Sequence, residues 1–337
     1  MDLCEQYYKK VIASIGWALV IFWGLLQAFG ALLFLIAFLI NSMPLSTVGK
    51  DVIYQLSYGV GYLSMFMLPV AFLRLFLKKN GCRPQSMRVA PRISPWLPFM
   101  IFAGVSICFS AVRLNTVLVS FFDYSSFSSE VIWEESTNLQ GYEIVLNFIL
   151  MAIVPGFCEE FLFRGAILEN CLPFGRTKAI IISSLLFAMM HQNIEQILYT
   201  FVAGIVLGLI YERTGSIWNC TILHIFNNFI SVLETTVYAK LGNSMEGNLA
   251  LLLIEAVIFC LGALSIGILI VRFFSKRNDL RDGVFEKDVP ASDAYASAPL
   301  PQGRAVRLFC HPSMLLFLSL CTLQTLMLVI MAVGGFY

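Results

Sequence analysis

Residues 11–40 read VIASIGWALVIFWGLLQAFGALLFLIAFLI, thirty residues in which Gln27 is the only polar side chain of any size. A helix crosses the hydrocarbon core of a bilayer with ~20 apolar residues. This run is too long for the core of a signal peptide, and no small-residue cleavage pattern follows it directly. It therefore reads as a first membrane span. Working outward, further apolar runs cover residues 52–73, 96–122, 142–172, 177–191, 194–211, 217–238, 249–271 and 313–334. The count is open between His191 and Tyr211, where two short runs sit back to back. Over the 337 residues, 58% are hydrophobic and 13% charged, with a mean hydropathy of +0.81. An ordinary soluble domain has about 25% charged and about 45–50% apolar residues. These values exclude a disordered chain, a disulfide-stapled mini-protein and a soluble single-core protein. The expected fold is all-α: a polytopic transmembrane bundle of eight to nine spans, with its functional site inside the bundle.

The net charge of +1 gives no reason to expect nucleic acid as a partner. Nine cysteines, odd in number and without a C-x-x-C pair, read as small hydrophobes and not as a zinc or disulfide framework. If the N-terminus is cytoplasmic, the segments on that side hold 19 of the 22 Lys and Arg, Arg164 counted among them. The connection after the third run is acidic instead, with Asp123, Glu130, Glu134 and Glu135. The bias places the N-terminus inside. Residues 275–312 hold Pro290, Pro299, Pro301 and Pro312 among scattered Ala, Ser and Asp. They read as a cytoplasmic linker, which makes the last span an appendage.

A charge deep in the bilayer costs at least ~2.5–3.5 kcal/mol, so such residues face a protein interior and act there. The sharpest group is Phe157-Cys158-Glu159-Glu160-Phe161-Leu162-Phe163-Arg164-Gly165. Glu160 and Arg164 are i and i+4 and share a helix face, so they can pair. Glu159 points about 100° away. One carboxylate is thus free to face a cavity while the other is neutralised. The preceding Pro155-Gly156 can loosen the helix. His191 closes the next run, and His224 shares a face with Asn228 four residues on. Glu159 and His191 each lie 16 residues from Gly175 in the intervening turn, about 20 Å deep in a hairpin. His224 lies ten residues past Thr214, roughly 15 Å deep by the same rise. All these groups reach one layer. Glu234, Glu255 and Arg113 read as interfacial or snorkelling groups.

A Glu beside a His is equipment for activating water. A second His with an Asn amide can stabilise an oxyanion. No G-x-S-x-G serine context and no H-E-x-x-H signature is present. Glu159, His191 and His224 would also make a three-ligand set for a divalent metal such as zinc. The sequence leaves metal-bound and Glu/His-held water both open.

Glu-Glu-x-x-x-Arg-Gly, then Phe-x-x-x-His, then His-x-x-x-Asn, each in an apolar run and in that order, resemble the three motifs of the CPBP family. These are the CAAX protease and bacteriocin-processing (ABI) intramembrane proteases, which include the type II CAAX prenyl endopeptidases. The segment Tyr211–Asn219 also resembles that family. The resemblance covers roughly Tyr142 to Glu234. It implies an intramembrane endopeptidase acting, inside the bilayer, on a peptide or protein substrate that is lipidated in some relatives. By position it makes Glu159 the base, with His191 sharing the water. His224 and Asn228 become the oxyanion site, and Glu160 and Arg164 a structural or gating pair. Relatives have been described both as metalloproteases and as metal-free. The missing zinc signature favours the second. The chain then divides into three N-terminal spans (1–141), a catalytic core (142–238), a further span (239–274), the linker (275–312) and a last span (313–337). The parts outside the core are expected to add nothing to the mechanism. The active site is expected to open toward the cytoplasm or laterally to lipid. Compact loops suggest a prokaryotic plasma membrane. The competing reading is a non-catalytic peptide-binding or immunity protein, or a proton-coupled transporter. The lack of internal repeats and of paired broken helices argues against transport.

Overall fold

Backbone groups in hydrocarbon find partners only within their own segment, so apolar runs of this length fold as helices. The computed structural model describes residues 3–120, 141–279 and 310–333. Its helices are α1 (Leu3–Ser42), α2 (Thr47–Lys79), α3 (Leu97–Ser120), α4 (Gly141–Cys171, in consecutive α and π segments), α5 (Arg176–Met190), α6 (Ile194–Thr214), α7 (Ile217–Leu241), α8 (Met245–Asp279) and α9 (Pro312–Val333). Seven of them, all but α5 and α7, are long and apolar enough to cross a membrane. The protein is an integral membrane protein with an all-helical bundle fold. Its lipid-facing surface is apolar: Phe34 is 79% exposed, and Leu252, Leu264 and Leu323 are each more than half exposed.

The structure settles the ambiguity after His191. α5 has 15 residues, about 22 Å at 1.5 Å per residue, and falls short of a ~30 Å hydrocarbon core. It is the short arm of a hairpin with α6, not a full span. His191 caps the end of α5, Gln192 turns the chain at φ 53°, and the Asn193 side chain accepts the Glu195 N–H at 2.9 Å to start α6. Cap and turn chemistry of this kind ends one helix and starts another within three residues.

Helix ends meet at two faces. At the first, Ser313 Oγ donates to the Ala13 carbonyl at 3.2 Å, Asn80 Nδ2 donates to Ser14 Oγ at 2.9 Å, and Arg176 pairs with Glu212 at 3.1 Å. Among the described residues, the start of α1 with Lys9 and Lys10, the end of α2 with Lys78 and Lys79, the start of α5 with Arg176 and the end of α6 with Arg213 lie at this face. Arg164 does not: it is 1% exposed and lies in the interior, so it was miscounted among the face cations.

The connection at 80–96 is strapped to this face by the start of α7. Ser216 Oγ donates to the Ala90 carbonyl at 3.0 Å, Trp218 Nε1 to that of Val89 at 2.8 Å and Asn219 Nδ2 to that of Arg92 at 2.8 Å. The segment Tyr211–Asn219 thus uses much of its polar capacity on clamping a loop. The last helix is no appendage. Met314, Phe317 and Cys321 lie in the main core with Ile12, Ile15 and Leu19 of α1. The expected linker begins late, since α8 runs to Asp279. The rest of it, residues 280–309, and the acidic connection with Asp123, Glu130, Glu134 and Glu135 lie outside the described residues. The cysteines behave as small hydrophobes: Cys82, Cys108, Cys158, Cys171, Cys220 and Cys321 are buried and free.

α1 and α9 touch through Gly16, where a Cβ would fall 2.2 Å from Ser313 Oγ and 2.7 Å from the Met314 nitrogen. At Gly24, on the same helix, a Cβ would meet nothing within 4 Å. We predict that Gly16→Leu destabilises the bundle by about 1–3 kcal/mol through overpacking, while Gly24→Leu leaves it within about 0.5 kcal/mol of wild type. Detergent unfolding monitored by circular dichroism checks both.

Candidate active site

α4 supplies the two carboxylates. Val154–Glu160 is α-helical, and the turns on either side, Ile149–Ile153 and Phe161–Leu168, are wound as π-helix. Such insertions are rare and concentrate at functional sites. Gly156 lets α4 approach α7 closely: a Cβ there would lie 2.6 Å from Ile225 Cγ1 and 3.0 Å from the Ile225 nitrogen. That approach sets Glu159 and Glu160 beside His224.

The two carboxylates are used differently. Glu160 is fully buried. Its Oε1 accepts from Arg164 Nη1 at 2.7 Å and lies 2.8 Å from His224 Nδ1. Arg164 also donates to the Gly204 carbonyl at 3.1 Å and sits 4.6 Å from the Phe187 ring centre. One arginine therefore ties α4 to α5 and α6. Glu159 turns the other way and lines a cavity of about 550 Å³. Its Oε1 accepts from the Tyr62 hydroxyl at 2.5 Å. Its Oε2 is buried without a hydrogen-bond partner, with His224 Nε2 3.8 Å away, beyond hydrogen-bond reach.

His191 lines the same cavity. Its Nδ1 lies 2.9 Å from the Phe187 carbonyl. A carbonyl can only accept, so Nδ1 carries the hydrogen, and in the neutral ring Nε2 is left as a base. Asn228 is one turn beyond His224 on α7 and also lines the cavity. It accepts a long bond from Asn227 Nδ2 at 3.4 Å. The structure thus brings Glu159, His191, His224 and Asn228 to one cavity and sets Glu160 and Arg164 behind it. Among the described residues, no three His, Cys, Asp or Glu side chains group as a metal site.

The cavity runs along α7 from Leu223 to Ala239 and along α4 from Glu159 to Asn147. It extends toward the face opposite the N-terminus. Of the two expected directions, toward the cytoplasm or laterally to lipid, the lining does not extend toward the cation-rich face. Hydrophobicity alone fixes the depth of a group but not which end of the bundle is hollow.

Tyr62 escaped the sequence reading, because α2 lies outside the motifs. Its signal was Tyr58 and Tyr62 at i, i+4 in an apolar span, two hydroxyls on one face. Both line the cavity. A second buried polar group was also missed. Glu169 pairs with Arg88 at 2.5 Å and accepts from the Tyr211 hydroxyl at 2.7 Å, joining α4 to the 80–96 connection and α6. Outside the cavity, Arg113 pairs with Glu255.

Residues 141–230 match the family model described as type II CAAX prenyl endopeptidase Rce1-like. They form an Rce1-like domain. No curated protein and no solved structure matches the chain. The Rce1-like domain contains Glu159, Glu160, Arg164, His191, His224 and Asn228, while Tyr62 comes from outside it. The family is one of CAAX-type intramembrane proteases in general, and its match covers α4, α5, α6 and the first part of α7, while α2, α3 and the rest of α7 complete the cavity lining.

Removing one member of a buried ion pair strands the other and costs about 3–5 kcal/mol. Arg164→Leu is expected to destabilise the protein by that amount. Arg213→Leu, at a side chain 64% exposed beside Glu212, is expected to stay within about 1 kcal/mol of wild type. Unfolding in mixed detergent micelles reads both.

Proposed function

We propose that the protein is an intramembrane endopeptidase whose catalytic residues are Glu159, His191, His224 and Asn228. The observation that carries this reading is the divided Glu159 carboxylate. One oxygen is fixed by Tyr62 at 2.5 Å, and the other is buried, unpartnered and next to a cavity walled by His191, His224 and Asn228. Glu160 Oε2 is also without a partner, but Glu159 is the one that lines the cavity, where a water to be activated offsets the cost of a bare carboxylate oxygen.

The chemistry follows from the donors and acceptors. Glu159 Oε2 and His191 Nε2 are both acceptors, suited to holding the two hydrogens of one water. As the water oxygen attacks the peptide carbonyl, Glu159 takes its proton and the carbonyl oxygen becomes an oxyanion. The Asn228 amide N–H and His224 stabilise that charge. His224 reaches the site from its Nε2 side, with Nδ1 held 2.8 Å from Glu160 Oε1. The proton on Glu159 then passes to the leaving nitrogen as the C–N bond breaks, giving a carboxyl and an amine. No group is covalently modified. With the cation-rich face in the cytoplasm, the cavity reaches toward the opposite leaflet, and the substrate is a membrane-associated peptide or protein that enters from there. The family match suggests lipidated peptides as the first substrates to try.

The test is cleavage by protein reconstituted in liposomes, with a panel of prenylated and leader peptides. Glu159→Ala and His191→Ala are expected to lower the rate by at least ~10²-fold, as loss of a general base does. Tyr62→Phe is expected to lower it about tenfold, by releasing a hydrogen bond to a charged group. Undiminished cleavage by Glu159→Ala would overturn the proposal.

A further inference from the structure

The catalytic layer occupies only one end of the cavity. Beyond it α7 presents a polar lane, with Asn227, Asn228, Ser231, Glu234 and Thr235 all lining the cavity. These residues follow His224 at spacings of three, four, seven, ten and eleven, which keeps them along one side of a helix. Threonine and serine in this lane bond their own helix: Thr235 Oγ1 donates to the Ser231 carbonyl at 2.9 Å. Glu234 is different. Its Oε1 is buried without a hydrogen-bond partner. The cation whose field reaches it is Arg113 of α3, and that guanidinium is bonded to Glu255 of α8 instead. Among the described residues, the cavity lining holds two carboxylates, Glu159 and Glu234, and no lysine or arginine. A half-buried second acid lining the cavity, with no cation hydrogen-bonded to it, has room for a cation brought from outside.

We propose that Glu234 is a substrate subsite for a basic side chain, lysine or arginine, of the peptide to be cut. The proposal rests on the endopeptidase reading. Ten residues separate His224 from Glu234, about 15 Å along the helix axis. An extended peptide rises about 3.3 Å per residue, so the basic residue lies about four or five residues from the scissile bond. Between the two points the Asn and Ser side chains of the lane offer hydrogen bonds to an extended backbone. Glu234 thereby sets which stretch of the substrate comes to rest against Glu159. It is a binding residue and takes no part in bond breaking.

The experiment uses the full chain in detergent with fluorescein-labelled, farnesylated peptides of otherwise neutral sequence. One lysine is walked through the peptide, and each member is paired with its glutamine counterpart. Affinity is read by anisotropy, and cutting by mass spectrometry with kcat and KM determined separately. Lysine at one or two adjacent positions is expected to tighten binding about tenfold, appearing in KM and not in kcat. Glu234→Gln should erase the difference, and Glu234→Lys should turn the preference toward a glutamate walked through the same positions. A lysine-to-glutamine ratio within about twofold at every position in wild type, or a preference that survives Glu234→Gln, would overturn the subsite. Cutting without that preference would sink the subsite and keep the endopeptidase. Lysine-selective binding without cutting would do the reverse. Failure to bind or cut any member of the series would overturn both.

Discussion

The structure depends on one buried ionic cluster. Arg164, 1% exposed, is bonded to Glu160, which is itself fully buried and lies 2.8 Å from His224 Nδ1. Taking such ions out of water costs several kcal/mol each, and their mutual attraction offsets that only with good geometry and further hydrogen bonds. Here the further bonds are the Gly204 carbonyl and the face of Phe187. The cluster joins α4, α5, α6 and α7. In apolar surroundings, where Leu against Leu specifies little, it sets the register of these helices. Replacing the whole cluster by aliphatic side chains would pack as well and specify less. Holding His224 and turning Glu159 toward the cavity are consequences of the same geometry, because Glu159 is next to Glu160 in sequence and about 100° round the helix.

Much of this was legible in the sequence. The apolar runs gave the helices, because a bilayer leaves the backbone no other way to pair. The i, i+4 spacing gave the Glu160–Arg164 pair, and counting residues from the turn at Gly175 brought Glu159 and His191 to equal depth. Three things were not legible. Tyr62 donates to Glu159 across 97 residues of chain, and no local spacing encodes a contact of that range. The last helix looked separate because the residues before it are polar, yet Gly16 and Ser313 fit it against α1. Arg164 was counted with the face cations because a Lys/Arg tally does not distinguish a loop from a buried pair.

The hollow end of the bundle was equally hidden. Asn227, Asn228, Ser231 and Thr235 lie along one side of α7, and a polar lane in a helix can face a partner helix, water or a substrate. Only the packing of α2, α3, α4, α5 and α6 around it shows a cavity. The segment Tyr211–Asn219 is the complementary case. It looks like a functional motif, and in the structure Ser216, Trp218 and Asn219 bond the backbone of the 80–96 connection. That clamp anchors the base of α7, the helix that carries His224 and Asn228.

The central claim is that adjacent carboxylates have separate jobs, Glu160 in the scaffold and Glu159 in the chemistry. Measuring turnover and unfolding free energy together for Glu159→Gln and Glu160→Gln tests it most directly. The division of roles predicts that Glu159→Gln abolishes turnover and keeps wild-type stability to within about 1 kcal/mol, while Glu160→Gln loses about 3–5 kcal/mol of stability by stranding Arg164. Equal loss of turnover with stability unchanged in both variants would contradict it.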